Sequence, residues 1–115
     1  YTPEEAGDHL LNVSKAYQLT FYETFKTDLL GHSRKTEEIA HFLPLLDWFL
    51  VRVLRGHTDE TSVLITSDHG NLEDLTVGGH TRNPVPLIVT NGLCGRLGEM
   101  ESLVDVLGSI CHFFL

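Results

Sequence analysis

Two short apolar runs, VLIT at 63–66 and VPLIVT at 85–90, constrain the fold more than any other feature of the chain. Both are rich in branched residues and too short for helices, so they read as buried strands over 62–66 and 85–90. Pro84 and Pro86 keep the second run near a sheet edge or at its start, because proline cannot donate to a ladder. Around these runs the periodicity is helical. Thr2-Pro3-Glu4-Glu5 has the form of a capping box with proline at the first helical position, and Leu10, Leu11, Val13 and Tyr17 give an apolar face, which predicts a helix over 3–17. Ile39, Phe42, Leu43, Leu46, Phe49, Leu50 and Val53 predict a second helix over 36–54, with Pro44 as a possible kink. A last helix is expected over 101–113.

Between the first two helices, residues 19–25 (LTFYETF) are β-branched and aromatic and are expected to form a strand; residues 27–35, polar and containing glycine, are expected to form a loop, as are residues 68–83. The resulting order, α-β-α-β-loop-β-α, implies an α/β fold with a mostly parallel sheet flanked by helices. Nothing in the pattern divides the 115 residues into more than one domain.

In such sheets ligands bind beyond the carboxyl ends of the strands. Asp28 and His32 follow the run ending at Phe25. Asp68 and His69 follow the run ending at Thr66. His80 lies on the loop leading to the last strand. These five oxygen and imidazole donors are expected at one edge of one sheet. Such a set without thiolates suits zinc, manganese, iron or cobalt better than calcium, which prefers an all-oxygen shell. Asp28, His32 and His80 can serve one ion, and Asp68 and His69 a second. The bland alternatives are a capped turn for Asp68-His69, ordinary loop positions for Asp28 and His32, and a hydrogen-bonded glycine loop for His80. Glu73 and Asp74 read either as carboxylates that orient a histidine or as solvated loop charges. Arg82 is open between an oxyanion contact and a structural salt bridge. Cys94 and Cys111, the only two cysteines, have no partner constellation.

Charge narrows the partners. Sixteen acidic against eight basic residues give a net charge of −8. That excludes the clustered basic surface that nucleic acids and anionic membranes require. No apolar run approaches the ~20 residues of a membrane span. The low cysteine usage fits a reducing, cytoplasmic setting.

Three segments, TDLLGH (27–32), LITSDHGNLED (64–74) and HTRNPVPLIV (80–89), together resemble the metalloenzyme domain of the alkaline phosphatase superfamily. The branch most similar is that of cofactor-independent phosphoglycerate mutase and phosphopentomutase. The resemblance covers residues 19–90 well and the flanking helices loosely. It implies an alkaline-phosphatase-like sheet and two divalent ions, manganese or zinc. Asp28, His32 and His80 would hold one ion, and Asp68 and His69 would hold the other. The reaction implied is transfer or hydrolysis of a phosphoryl group on a phosphorylated small molecule, by a phosphatase, phosphodiesterase or phosphomutase, through a serine or threonine nucleophile.

No residue here matches that nucleophile or the aspartate completing the second ion's shell. Thr2, the one hydroxyl near the start, is a helix cap. The expectation is therefore the carboxyl-terminal part of a single metalloenzyme domain, inactive alone and completed by the missing amino-terminal half or by self-association. The rival readings are a catalytically silent module that binds metal or phosphorylated ligands, and a plain α/β structural domain.

Overall fold

The computed structural model describes residues 1–90, 92, 93, 97 and 100–114, with the side chain of Phe113 excepted. Among them lie six elements: α1 (Pro3–Ser14), α2 (Lys26–Ser33), α3 (Thr36–Gly56), β1 (Leu64–Thr66), β2 (Leu87–Val89) and α4 (Leu103–Phe114). Contacts divide them into two compact units, Tyr1–His57 with His69–Pro84, and Thr58–Asp68 with Val85–Leu115. Cys94 lies outside the described residues, and Cys111 is exposed.

The first unit is built on α1 against α3. At the start of α1, the Thr2 hydroxyl accepts from the Glu5 N–H at 3.2 Å and the Glu5 carboxylate accepts from the Thr2 N–H at 2.8 Å. Two donors that the helix start would otherwise leave unpaired are thereby satisfied. The helix stops three residues short of the expected 17. The Ser14 hydroxyl donates to the Leu11 carbonyl at 2.8 Å, and Tyr17 beyond it is exposed.

Leu11 of α1 and Ile39, Phe49 and Val53 of α3 are buried. Burial of each such side chain contributes on the order of 1.5–3 kcal/mol. Gly7 lets the two helices approach, because a Cβ there would lie 2.8 Å from Cγ of Arg52. Arg52 also pairs with Asp8 across the contact. Pro44 sits inside α3 without ending it.

Two expectations fail in this unit. Residues 19–25 form no strand, and Leu19, Phe21, Tyr22 and Phe25 are exposed. Their strand propensity reflects packing against a neighbouring strand, and the described residues provide none for them. Residues 27–35, expected as loop, instead supply most of α2. Asp28 in its first turn complements the helix dipole, Leu30 is only 2 % exposed, and Arg34 ends the helix in a left-handed conformation at φ 53°.

In the second unit β1 and β2 pair antiparallel, with Leu64 opposite Val89, Ile65 opposite Ile88 and Thr66 opposite Leu87. The Val63 N–H donates to the Thr90 hydroxyl and the Thr90 N–H to the Val63 carbonyl, both at 3.0 Å. The mostly parallel sheet expected from element order is not what these strands form. A parallel pair needs a long crossover, usually helical, and residues 67–86 contain no helix. The α/β class holds, as helices with a two-stranded sheet. Among the described residues no helix is long and apolar enough to cross a membrane.

Leu11→Ala should lower unfolding stability by about 2–5 kcal/mol, the usual range for deleting a buried leucine. Val13→Ala on the exposed side of the same helix should stay within roughly 0.5 kcal/mol of the parent. Denaturant melts of the two variants check this ranking.

Candidate metal centre

The centre starts from helix α2. Asp28 and His32 are four residues apart, so they stand one turn apart on one helix face. Their side chains meet, with His32 Nε2 3.3 Å from Asp28 Oδ1. The loop spacing assumed from sequence is in fact a helical one.

The other imidazoles come from the loop after β1. An isolated bridge pairs Gly70 with Thr81, with the Thr81 N–H donating to the Gly70 carbonyl at 2.8 Å. That bridge brings the preceding residues of its two arms, His69 and His80, face to face. Their rings stack with centroids 3.6 Å apart and 15° between planes. His80 Nε2 lies 3.5 Å from Asp28 Oδ1, and His69 Nε2 lies 3.9 Å from it. One carboxylate oxygen is thus faced by the Nε2 atoms of three histidines.

Donor atoms of Asp28, His69 and His80 all lie within 4.8 Å of one another. Two ligands of one first-row ion, each at about 2.0–2.2 Å, stand about 3–3.5 Å apart. The arrangement therefore fits a divalent ion with a small closing movement, and its nitrogen and oxygen donors suit zinc or manganese. Nδ1 of His69 lies 3.4 Å from the Gly70 carbonyl oxygen; a proton held there leaves the Nε2 lone pair directed at the centre.

The carboxylate is prepared for this role. The Asn71 amide, first, holds the Asp28 carboxyl below its ordinary range; desolvation opposes it, and the nearby His32, His69 and His80 each lower it by less. Asp28 therefore presents a charged oxygen throughout the neutral range. The His80 side chain is about half exposed, which leaves one side of the centre open to solutes.

Asn71 was not a candidate from sequence. It is the one buried polar residue among those described, 5 % exposed. Its Nδ2 donates to Asp28 Oδ1 at 2.6 Å and to the Asp28 carbonyl at 3.1 Å. Gly31 makes room for it, since a Cβ on Gly31 would overlap the amide. Only its place next to Asp-His-Gly hinted at a role.

Glu73 and Asp74, taken together from sequence, separate here. Oε2 of Glu73 accepts the Asn71 N–H at 2.6 Å, while Oε1 accepts from the Thr81 hydroxyl and from Asn83 Nδ2, the latter at 3.1 Å. Asp74 only closes a local turn, accepting from the Thr76 N–H and hydroxyl at 2.9 and 2.6 Å. Arg82 is exposed. Asp68, also exposed, belongs to the second unit, where it ends the Thr58–Asp68 segment.

A family profile described as "Metalloenzyme superfamily" matches residues 2–115. The chain belongs to the Metalloenzyme superfamily. Among curated members similar to it are proteins named 2,3-bisphosphoglycerate-independent phosphoglycerate mutase. The one from Acetivibrio thermocellus is 35% identical over 82% of this chain and 21% of its own length. Those from Cereibacter sphaeroides and Dinoroseobacter shibae are 31% and 30% identical, over 89% and 95% of this chain and 22% and 23% of theirs. This superfamily member thus spans about a fifth of the length of the curated relatives it matches. No solved structure matches it. The resemblance read from its three motifs agrees with both the profile and the relatives.

The Thr81 hydroxyl, together with the Asn83 amide and backbone N–H groups, lowers the Glu73 carboxyl from 4.5 to about 2. A depressed folded value means that the hydrogen bonds to Glu73 support the loop fully above the ordinary glutamate range. That support fades as pH falls toward 2. Carboxyl-carbon NMR of Glu73 should show a midpoint near 2, with the Asn71 amide shift following the same curve. A midpoint at the ordinary glutamate value would contradict the hydrogen-bonded loop.

Proposed function

We propose that this chain supplies most of the metal ligands of a two-metal phosphoryl-transfer enzyme, a phosphomutase acting on a phosphorylated small molecule of the phosphoglycerate class. The convergence of three Nε2 atoms on Asp28 Oδ1 carries this reading. In it, Asp28, His32 and His80 hold one divalent ion, manganese or zinc, and Asp68 and His69 hold the other. The stacking of His69 on His80 keeps the two imidazoles adjacent, and the second ion rests on the family resemblance. Bound ions would supply charge stabilisation for the oxygens of a transferring phosphoryl group.

The chain's own part is to fix these donors. Asp28 brings the negative charge that draws a cation into the centre. The imidazoles bring nitrogen donors, and the open side at His80 admits an anionic substrate. Relatives named phosphoglycerate mutase support the reaction class. The nucleophilic hydroxyl and the remaining ligand of the second ion come, in this reading, from sequence beyond these residues, within the same domain. Leu87 and Ile88 of β2 are 43% and 46% exposed. Such open apolar strand faces support a place for β1 and β2 in a larger, mostly parallel sheet. The same reaction class supports a cytoplasmic setting.

In the full-length enzyme, Asp28→Ala and His80→Ala should each reduce phosphoglycerate mutase turnover by roughly a thousandfold or more, since metal stabilisation supplies several kcal/mol of the barrier reduction. Chelation should abolish turnover and added manganese or zinc restore it. Full turnover in either variant, or in the chelated enzyme, would sink the assignment.

A further inference from the structure

Asp28 and His80 lie on separate segments, with His80 Nε2 3.5 Å from Asp28 Oδ1. The link between them runs through groups that are not themselves ligands. From the Asp28 end, the Asn71 amide donates to both the carboxylate and the carbonyl of Asp28. One side chain thereby ties the carboxylate to its own helix and fixes its rotation. The Asn71 N–H then donates to Glu73. Glu73 in turn accepts from the hydroxyl of Thr81, the residue after His80, and from Asn83. The Thr81 N–H closes the frame onto the Gly70 carbonyl beside His69.

Two further observations show that this frame is built rather than incidental. Glycines stand at both places where it crosses the backbone. A Cβ on Gly31 would overlap the Asn71 amide, and one on Gly70 would overlap the Thr81 hydroxyl and the Glu73 carboxylate. The Asn71 amide is also held in one sense. Among the described residues its Oδ1 is buried without a hydrogen-bond partner, at a cost of about 1–3 kcal/mol. The flipped amide would turn that oxygen onto two acceptors of Asp28, which is worse. The amide thus gives up one bond to place both of its hydrogens on Asp28.

We propose that Asn71 and Glu73 are positioning residues of the metal centre, a hydrogen-bonded frame that sets the Asp28 carboxylate against His80 before any ion arrives. This rests on the metal reading given above and extends it to residues outside the ligand set. Asn71 occupies one lone pair of Asp28 Oδ1 and leaves the other facing the imidazoles. Glu73 fixes the arm that carries His80. Partners of this kind typically change metal affinity by about 10–100-fold.

The test uses cobalt(II), whose visible absorption reports coordination geometry, titrated into the parent chain and into Asn71→Leu, Glu73→Gln and Asn12→Ala. Asn12 only accepts from Lys15 on the surface of α1 and serves as the control. Far-UV circular dichroism confirms folding of each. The parent and Asn12→Ala should bind alike. Asn71→Leu should bind about 10–100-fold more weakly with an altered absorption spectrum, and Glu73→Gln should shift both in the same direction by less. A merely structural residue would lower the melting temperature and leave the spectrum of the loaded, folded chain unchanged. If Asn71→Leu does not fold, Glu73→Gln decides. Binding within about twofold of the parent, with the parent's spectrum, overturns the frame. A parent chain that takes up no cobalt(II) overturns the metal reading itself and the frame with it.

Discussion

Oδ1 of Asp28 is the point to which the first unit is arranged. Its charge is favoured by a buried amide and three imidazoles, and each contact comes from a different part of the chain's logic. His32 is there because α2 is a helix and the two residues are one turn apart. His69 and His80 are there because the Gly70–Thr81 bridge folds their arms together. The Asn71 amide fixes that oxygen, and the three Nε2 atoms stand on its open side. A divalent ion bound there would hold α2 and the 69–83 loop together, and binding and local order would then be coupled.

The packing that supports this point is modest. Helices α1 and α3 supply the apolar contact, with Gly7 allowing close approach and Leu11, Phe49 and Val53 filling it. Leu30, only 2 % exposed, anchors α2. Polar rather than apolar contacts then hold the loop 69–83, chiefly through Asn71, Glu73 and Thr81. A loop held in that way is sensitive to single changes at its hydrogen-bonded residues and tolerant elsewhere, as at Val77 and Gly79, which bear on none of these bonds.

Much of this was legible in the sequence, and the failures have physical causes. The capping box at Thr2 and the apolar faces of α1 and α3 are local signals, and local structure followed them. The runs at 63–66 and 85–90 became strands, but their relative direction depends on what lies between them, and a connection without a helix returns antiparallel. Residues 19–25 read as a strand because propensity cannot say whether a neighbouring strand is present. Helix α2 was missed for a more instructive reason. Gly31 lowers helix propensity by about 1 kcal/mol, and it is the residue that leaves room for Asn71. The local rule is broken where the site needs it broken. Asp28, His32, Asp68, His69 and His80 were singled out because Asp and His after apolar runs are chemically conspicuous, and the structure brings Asp28, His32, His69 and His80 together. Asn71 was not singled out, because its importance lies in burial and in the direction of its hydrogen bonds, neither of which a residue name contains.

The most direct test of the centre is to locate the ion. Crystals of the chain soaked in manganese would be measured at the manganese absorption edge and the anomalous difference map inspected. The account predicts a peak about 2.0–2.3 Å from Asp28 Oδ1 and from Nε2 of His32 and of His80. A well-ordered centre with no peak, or manganese bound only elsewhere on the chain, would contradict it.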